Sequence, residues 1–209
     1  MRDERMNRGG GIDDLEQGPR AFTPPRSWRV SVALAVFGLV LLIDQLTKAA
    51  VRSAATAGGG LWEAPAIPGI LSLKFVRNTG AAFSFGEGFS GFFVLLAIVV
   101  VIGVAVYLWR TPLVSRVEVA GLAMVVGGAV GNALDRLLFG YVTDFFATEF
   151  MDFAVFNVAD IGITVGVVVA FLGFAVLSPA NKVDATEELN RRDDEARRRR
   201  ERKRADRGR

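Results

Sequence analysis

Two short units carry the chemistry of this sequence: "NALD" at 132–135 and "NVAD" at 157–160. Each places an asparagine three residues before an aspartate. On a helix, positions i and i+3 share a face, so Asn132 is expected beside Asp135 and Asn157 beside Asp160. An asparagine amide donates to a carboxylate and accepts from a carboxylic acid. Two carboxylates held close together do not both ionise readily, and the pair keeps one proton between them. The ionised member can take a proton from water, and the other can protonate a carbonyl oxygen or a leaving amine. Peptide-bond hydrolysis by Asp135 and Asp160 is therefore expected. The two titrate as a unit, so the proton is assigned to neither. Cysteine and histidine are absent, which removes a Cys nucleophile, a Ser-His-Asp triad and a His-bound zinc. No metal or cofactor is expected.

Four apolar stretches must position these groups: 30–50, 91–109, 117–138 and 158–177. About 20 residues at 1.5 Å rise cross a hydrocarbon core of about 30 Å. The expected fold is an all-α membrane protein of four transmembrane helices with a small extracytoplasmic β-like loop region. The first stretch follows a long polar lead and lacks a small-residue cleavage site, so it is read as a retained anchor. Of 25 Lys and Arg, six precede the first stretch, two (Arg110 and Arg116) lie between the second and third, and twelve follow Ser178. Basic residues mark the cytoplasmic side, so both termini are expected there, N-in and C-in. Segments 1–28 and 179–209 are read as disordered cytoplasmic tails around a membrane domain at 29–178. Their mixed charges and few apolar residues cannot build a core. The C-terminal tail is read as solvated and lipid-facing rather than as a nucleic-acid arm.

This orientation gathers Asp44, Lys48, Asn132, Asp135, Asn157 and Asp160 just beneath the outer surface. Every intramembrane carboxylate is expected at that level. Ionisable residues inside a membrane are costly and usually mark function. The outer segment 54–89 contains "LSLKFVRN", whose alternation puts Leu71, Leu73 and Phe75 on one strand face. It leads to Arg77, Asn78 and Gly80. Gly80 permits close backbone approach, and the loop, with Phe83 and Phe85, is expected to cover the cleft. Asn78 either touches substrate or a catalytic carboxylate, or closes a simple turn. The segment 139–156 is rich in Phe and Tyr, which suits an interfacial layer. Gly127 and Gly131 form a small-xxx-small pattern, expected to help bring Asp135 to Asp160 by close packing.

Five stretches occur in order: "DQLTK" (44–48), "RNTGAAFSF" (77–85), "GGAVGNALDR" (127–136), "GYVTDFF" (140–146) and "FNVAD" (156–160). Together they resemble the lipoprotein signal peptidase (signal peptidase II) family, bacterial four-span aspartyl proteases. The resemblance implies Asp135 and Asp160 as the catalytic pair. It implies supporting or substrate-binding roles for Asp44, Lys48, Arg77, Asn78, Gly80, Asn132, Arg136, Asp144 and Asn157. It also implies the substrate, a prolipoprotein whose cysteine already carries diacylglycerol, cut just before that cysteine. The place would be the bacterial cytoplasmic membrane, with the site near the extracytoplasmic face. The partners expected are lipid-modified prolipoproteins and membrane lipids, without nucleic acid, for a monomeric enzyme. The main rival is a proton-coupled membrane carrier with paired aspartates, although carriers favour repeats and broken helices near the midplane. A Ser-Lys peptidase using Ser84 or Ser90 with Lys48 is a second rival.

Overall fold

The four apolar stretches form four helices: α1 (Arg26–Ala57), α2 (Ser90–Arg110), α3 (Arg116–Phe139) and α4 (Val158–Leu177). The structure, a computed structural model, describes residues 24–80, 90–111 and 113–178, with isolated positions 194 and 198. The expected tails, for the most part, and Phe83, Ser84 and Phe85 lie outside the described residues. Among the described residues, these four helices are long and apolar enough to cross a membrane. α1 has 32 residues, about 48 Å of helix, so it overshoots a hydrocarbon core of about 30 Å.

α3 is the central helix. It packs on α1, α2 and α4, most extensively on α4. Glycines make this approach possible. A side chain at Gly121 would collide with the α4 backbone near Ala170, one at Gly128 with the Ala159 carbonyl, and one at Gly173 with the Glu118 backbone. Gly127 and Gly131 instead meet Val40 and Asp44 of α1. The small-residue pattern at Gly127 and Gly131 thus serves mainly α1, while Gly121 and Gly128 serve α4. Large apolar side chains such as Leu95, Val99, Val168 and Phe171 point outward. Such a surface is satisfied by lipid, and exposed to water it would exceed what soluble proteins tolerate.

Chain direction puts the start of α1, the end of α2, the start of α3 and the end of α4 at one end of the bundle. Arg29 Nη1 donates to the Thr111 carbonyl at 2.8 Å, and Ser115 Oγ to the Gly173 carbonyl at 3.0 Å. Arg26 lies 5.4 Å from the Trp109 ring centroid and Arg116 5.4 Å from that of Trp28. A buried carboxylate also lies here. Glu118 closes a capping box with Ser115 and accepts a hydrogen bond from the Tyr107 hydroxyl. The intramembrane carboxylates are therefore not all at one level. Glu118 serves the first turn of α3, whose free N–H groups need an acceptor.

At the other end sits a three-stranded antiparallel sheet in the order β1 (Glu63–Ile67), β2 (Leu71–Asn78), β3 (Val142–Thr148). The alternation over 71–78 forms β2. The aromatic segment after α3 contributes β3, pairing Leu71 with Thr148 and Asn78 with Val142. The β-like loop region is thus a true sheet, docked on the end of a mostly helical bundle. Gly140, at φ 77°, ends α3 and turns the chain into β3. Glycine adopts that left-handed conformation without steric cost.

Candidate active site

Two carboxylate clusters occupy the sheet end of the bundle. The first is built on α1, where Asp44, Lys48 and Arg52 recur every four residues and so share a face. Lys48 Nζ lies 2.9 Å from Asp44 Oδ2 and 3.7 Å from Asp135 Oδ2. Arg52 Nη1 lies 3.2 Å from Asp135 Oδ1. Asp135 Oδ2 accepts the Thr143 backbone N–H at 2.8 Å. Asp44 Oδ1 accepts the Ala159 N–H at 2.8 Å, satisfying a free donor in the first turn of α4. Asp44, Lys48 and Asp135 are fully buried. Two cations balance two carboxylates, which is what allows charges to lie away from water.

The second cluster faces a cavity of about 690 Å³ between α2, α3 and α4. Its polar end is lined by Asn78, Asn132, Arg136, Asp144 and Asp160; the rest is mainly apolar, with Phe93, Ala97, Val100 and Ile163 among its walls. Asp160 accepts from Asn132 Nδ2 at 2.8 Å and from the Asn157 N–H at 3.1 Å. Asp144 accepts from Asn78 Nδ2 at 2.8 Å and from Asn157 Nδ2 at 2.6 Å. Asn157 therefore bonds both carboxylates. It is also the N-cap of α4, in a reciprocal capping box with Asp160, so the helix start itself fixes the geometry.

The expected pairing of Asp135 with Asp160 is not the arrangement found. Asp135 does not line the cavity, and its oxygens are engaged by Arg52, Lys48 and Thr143. The carboxylate that shares the cavity with Asp160 is Asp144. Asn132 likewise does not serve Asp135. Its oxygen accepts from Lys48 at 2.8 Å and from Asn157 at 3.1 Å, which turns its nitrogen across the helix interface to Asp160. Burial pushes the Asp144 carboxyl up to about 6; the Asn78 amide opposes this and the neighbouring Asp160 charge adds to it.

Arg136 is the cation of this cavity. Its Nη2 donates to the Gly80 carbonyl at 2.6 Å, and its guanidinium carbon lies 4.7 Å from the Phe93 ring centroid. Its Nε is buried without a hydrogen-bond partner among the described residues. Asn78 meets both of its readings at once: Oδ1 closes a turn onto the Gly80 N–H at 2.9 Å while Nδ2 holds Asp144. Arg77 departs from expectation. It is exposed and absent from the cavity lining, and it stacks near Phe75 and Tyr141 at 5.6 and 5.3 Å. Successive strand residues point to opposite faces, so placing Asn78 in the cavity turns Arg77 away. Lys48 is buried among carboxylates, and Ser90 Oγ donates to the Gly140 carbonyl at 3.4 Å, which leaves no Ser90–Lys48 pair. Sequence reasoning missed Arg52, Thr143 and Gln45, whose Nε2 donates to Asp44 Oδ2 at 3.0 Å and to the Gly131 carbonyl at 3.1 Å. The four-residue stripe from Asp44 could have found Arg52.

Apolar helices closed around a carboxylate-bearing cavity define an integral membrane protein with a buried polar site. Residues 36–176 match the family model described as signal peptidase (SPase) II. A lipoprotein signal peptidase of Synechocystis is 37% identical over 143 residues, covering 68% of this chain and 83% of that protein. One from Streptococcus pyogenes is 43% identical over 138 residues, covering 65% and 88%. A bacterial membrane enzyme structure determined in meso at 1.9 Å matches with TM-score 0.62 and 26% identity, covering 70% of this chain and 94% of that one. The chain belongs to the signal peptidase II family. It is an aspartic peptidase of that type, and the carrier reading falls away.

Proposed function

We propose that this protein removes signal peptides from prolipoproteins, cutting before a diacylglyceryl-modified cysteine, with Asp144 and Asp160 as its catalytic dyad. The observation that carries the assignment is the single residue Asn157 bonding both carboxylates at the polar end of an apolar cavity. Asp144 holds the shared proton. Its burial favours the neutral acid, whereas Asp160 lies in the first turn of α4, whose positive end suits a negative group.

The chemistry closes without a cofactor. Asp160 takes a proton from water, and the hydroxyl attacks the scissile carbonyl carbon. Asp144 gives its proton to the carbonyl oxygen, leaving a neutral tetrahedral diol. Asp160 then protonates the amide nitrogen, the C–N bond breaks, and Asp144 recovers a proton from the diol. The signal peptide leaves with a carboxyl terminus and the lipidated cysteine with a free amine. Arg136, beside the dyad, balances its single negative charge. The apolar part of the cavity suits a membrane-held substrate.

The supporting roles follow the same geometry. Asn78, Asn132 and Asn157 hold the carboxylates, Gly80 and Arg136 frame the cavity, and Asp44 and Lys48 cap and brace α4. Both termini are assigned to the cytoplasm and the dyad to the extracytoplasmic side. The exposed arginines Arg26, Arg110 and Arg116 at the far end support this. The enzyme is read as a monomer bathed by membrane lipid, in the bacterial cytoplasmic membrane.

The test is cleavage of a purified, lipidated prolipoprotein by the enzyme in detergent with EDTA present. Cleavage before the modified cysteine is expected, with little turnover of the unmodified precursor. Equal rates on both precursors would overturn the lipid requirement, and loss of cleavage with EDTA the metal-free mechanism.

A further inference from the structure

Arg52 has no part in the chemistry above, yet its guanidinium is committed three ways. Nη1 lies 3.2 Å from Asp135 Oδ1 and 3.0 Å from Thr143 Oγ1. Its central carbon lies 4.2 Å from the Phe139 ring centroid. Asp135, through its other oxygen, takes the Thr143 backbone N–H at 2.8 Å. One ion pair thus grips Thr143 by side chain and by backbone. Thr143 is fully buried and directly precedes Asp144.

Strand geometry gives this grip a consequence. Neighbouring residues in a strand point to opposite faces. Holding Thr143 against α1 and α3 turns Asp144 the other way, into the cavity. The sheet alone does not determine this placement, because the pairing of β2 with β3 shifts register between Leu73 and Val76, and Val76 is the residue opposite Asp144. At such an irregularity the ladder bonds are locally disrupted. We propose that Arg52, acting through Asp135 and Thr143, is a positioning residue that sets Asp144 in reach of Asp160. The proposal rests on the Asp144–Asp160 reading. Arginine suits the task because Nη1 carries two hydrogens, one for each acceptor, while the planar guanidinium lies against the Phe139 ring.

The test uses the full chain in detergent, with kcat, KM, the pH profile and thermal unfolding measured for each variant. Arg52→Met should lower kcat about 10- to 100-fold, since a misplacement near 1 Å costs roughly 100-fold, with KM changed less than about threefold. The other charged groups around Asp144 are Lys48, Arg136, Asp135 and Asp160. Removing one cation from that set favours protonated carboxyls, so the alkaline limb of the profile should move to higher pH. Thr143→Val should lose part of kcat and Thr143→Ser should restore it. Parental kcat and profile in a folded Arg52→Met protein would overturn the proposal. If that variant does not fold, equal kcat for Thr143→Val and Thr143→Ser would overturn it instead. Asp144→Asn separates the two ideas. If it still cleaves, the dyad reading fails and the clamp falls with it. If it is inactive while Arg52→Met behaves as the parent, the clamp alone fails.

Discussion

The Asp44–Asp135 cluster and the Asp144–Asp160 cluster lie side by side and use the same side chain for opposite ends. In the first, each carboxylate faces a cation and a backbone N–H, and Asp44, Lys48 and Asp135 are fully buried. In the second, the carboxylates are held by neutral amides and open onto a cavity. Cations and backbone N–H groups take up the carboxylate oxygens of the first cluster, which ties α1, α3, α4 and β3 together. Amide donors orient the carboxylates of the second cluster and leave them facing the cavity. On the proposed reading, the aspartates that do chemistry differ from those that brace the fold in what holds them.

The comparison breaks first at the dyad. Asp144→Asn and Asp160→Asn should each lower turnover by roughly 10²–10⁴-fold, the usual worth of general acid–base catalysis, while the protein stays folded. Near-normal cleavage by either would move that residue out of the chemistry. The next effect belongs to the other cluster. Asp44→Ala removes the nearest carboxylate to Lys48 and orphans the Ala159 N–H, and breaking a buried pair costs about 3–5 kcal/mol. Unfolding in detergent should register that loss, whereas kcat per folded molecule should fall far less than in the dyad variants.

Acidity sharpens the contrast. Asp144 must hold its proton to act as the acid, and its carboxyl sits at about 6, above the ordinary 3.8. Rising pH removes that proton, so kcat/KM should descend above this region; a flat profile to pH 8 would count against Asp144 as the acid. Asn78→Ala removes an amide that stabilises ionised Asp144. The descent should then move to higher pH, with a rate loss larger than the accompanying loss of thermal stability. If rate merely tracks the folded fraction, Asn78 serves only its turn. The smallest effect is expected from deleting 181–209. α4 ends at Leu177 at the far end from the dyad, so cleavage in detergent should be nearly unchanged, and a correctly inserted but inactive truncation would refute this.

The helices were legible because about 20 apolar residues have few alternatives, and the four observed helices cover the four stretches. The gathering of Asp44, Lys48, Asn132, Asp135, Asn157 and Asp160 at one end of the bundle was legible too, from chain direction. The side-chain partners of Asn132 were not legible, because i, i+3 spacing gives proximity on a helix and not a hydrogen bond. Asn132 turns instead to Asp160, drawn by Lys48 on its oxygen, a contact 84 residues away that no local pattern encodes. Asp144 was noticed only as a supporting residue. It lies in β3, whose buried, aromatic-rich run lacks the period-two alternation that reveals a strand. Glu118 departs from the single level expected of the carboxylates because it closes the capping box at the start of α3.

The lengths of α2 and α4, 21 and 20 residues, have a last consequence. Each measures about 30 Å, matched to the hydrocarbon thickness of a typical bilayer. Asp160 stands in the first turn of α4, so in the proposed mechanism its water is held at a fixed height above the opposite leaflet. On that reading the enzyme is in effect a depth gauge. A substrate anchored by acyl chains finds its own depth, and the two depths agree only in a membrane of suitable thickness. In lipids with longer or shorter chains, hydrophobic mismatch would tilt the helices or strain the bilayer and offset the scissile bond from the dyad, with every residue of the site intact.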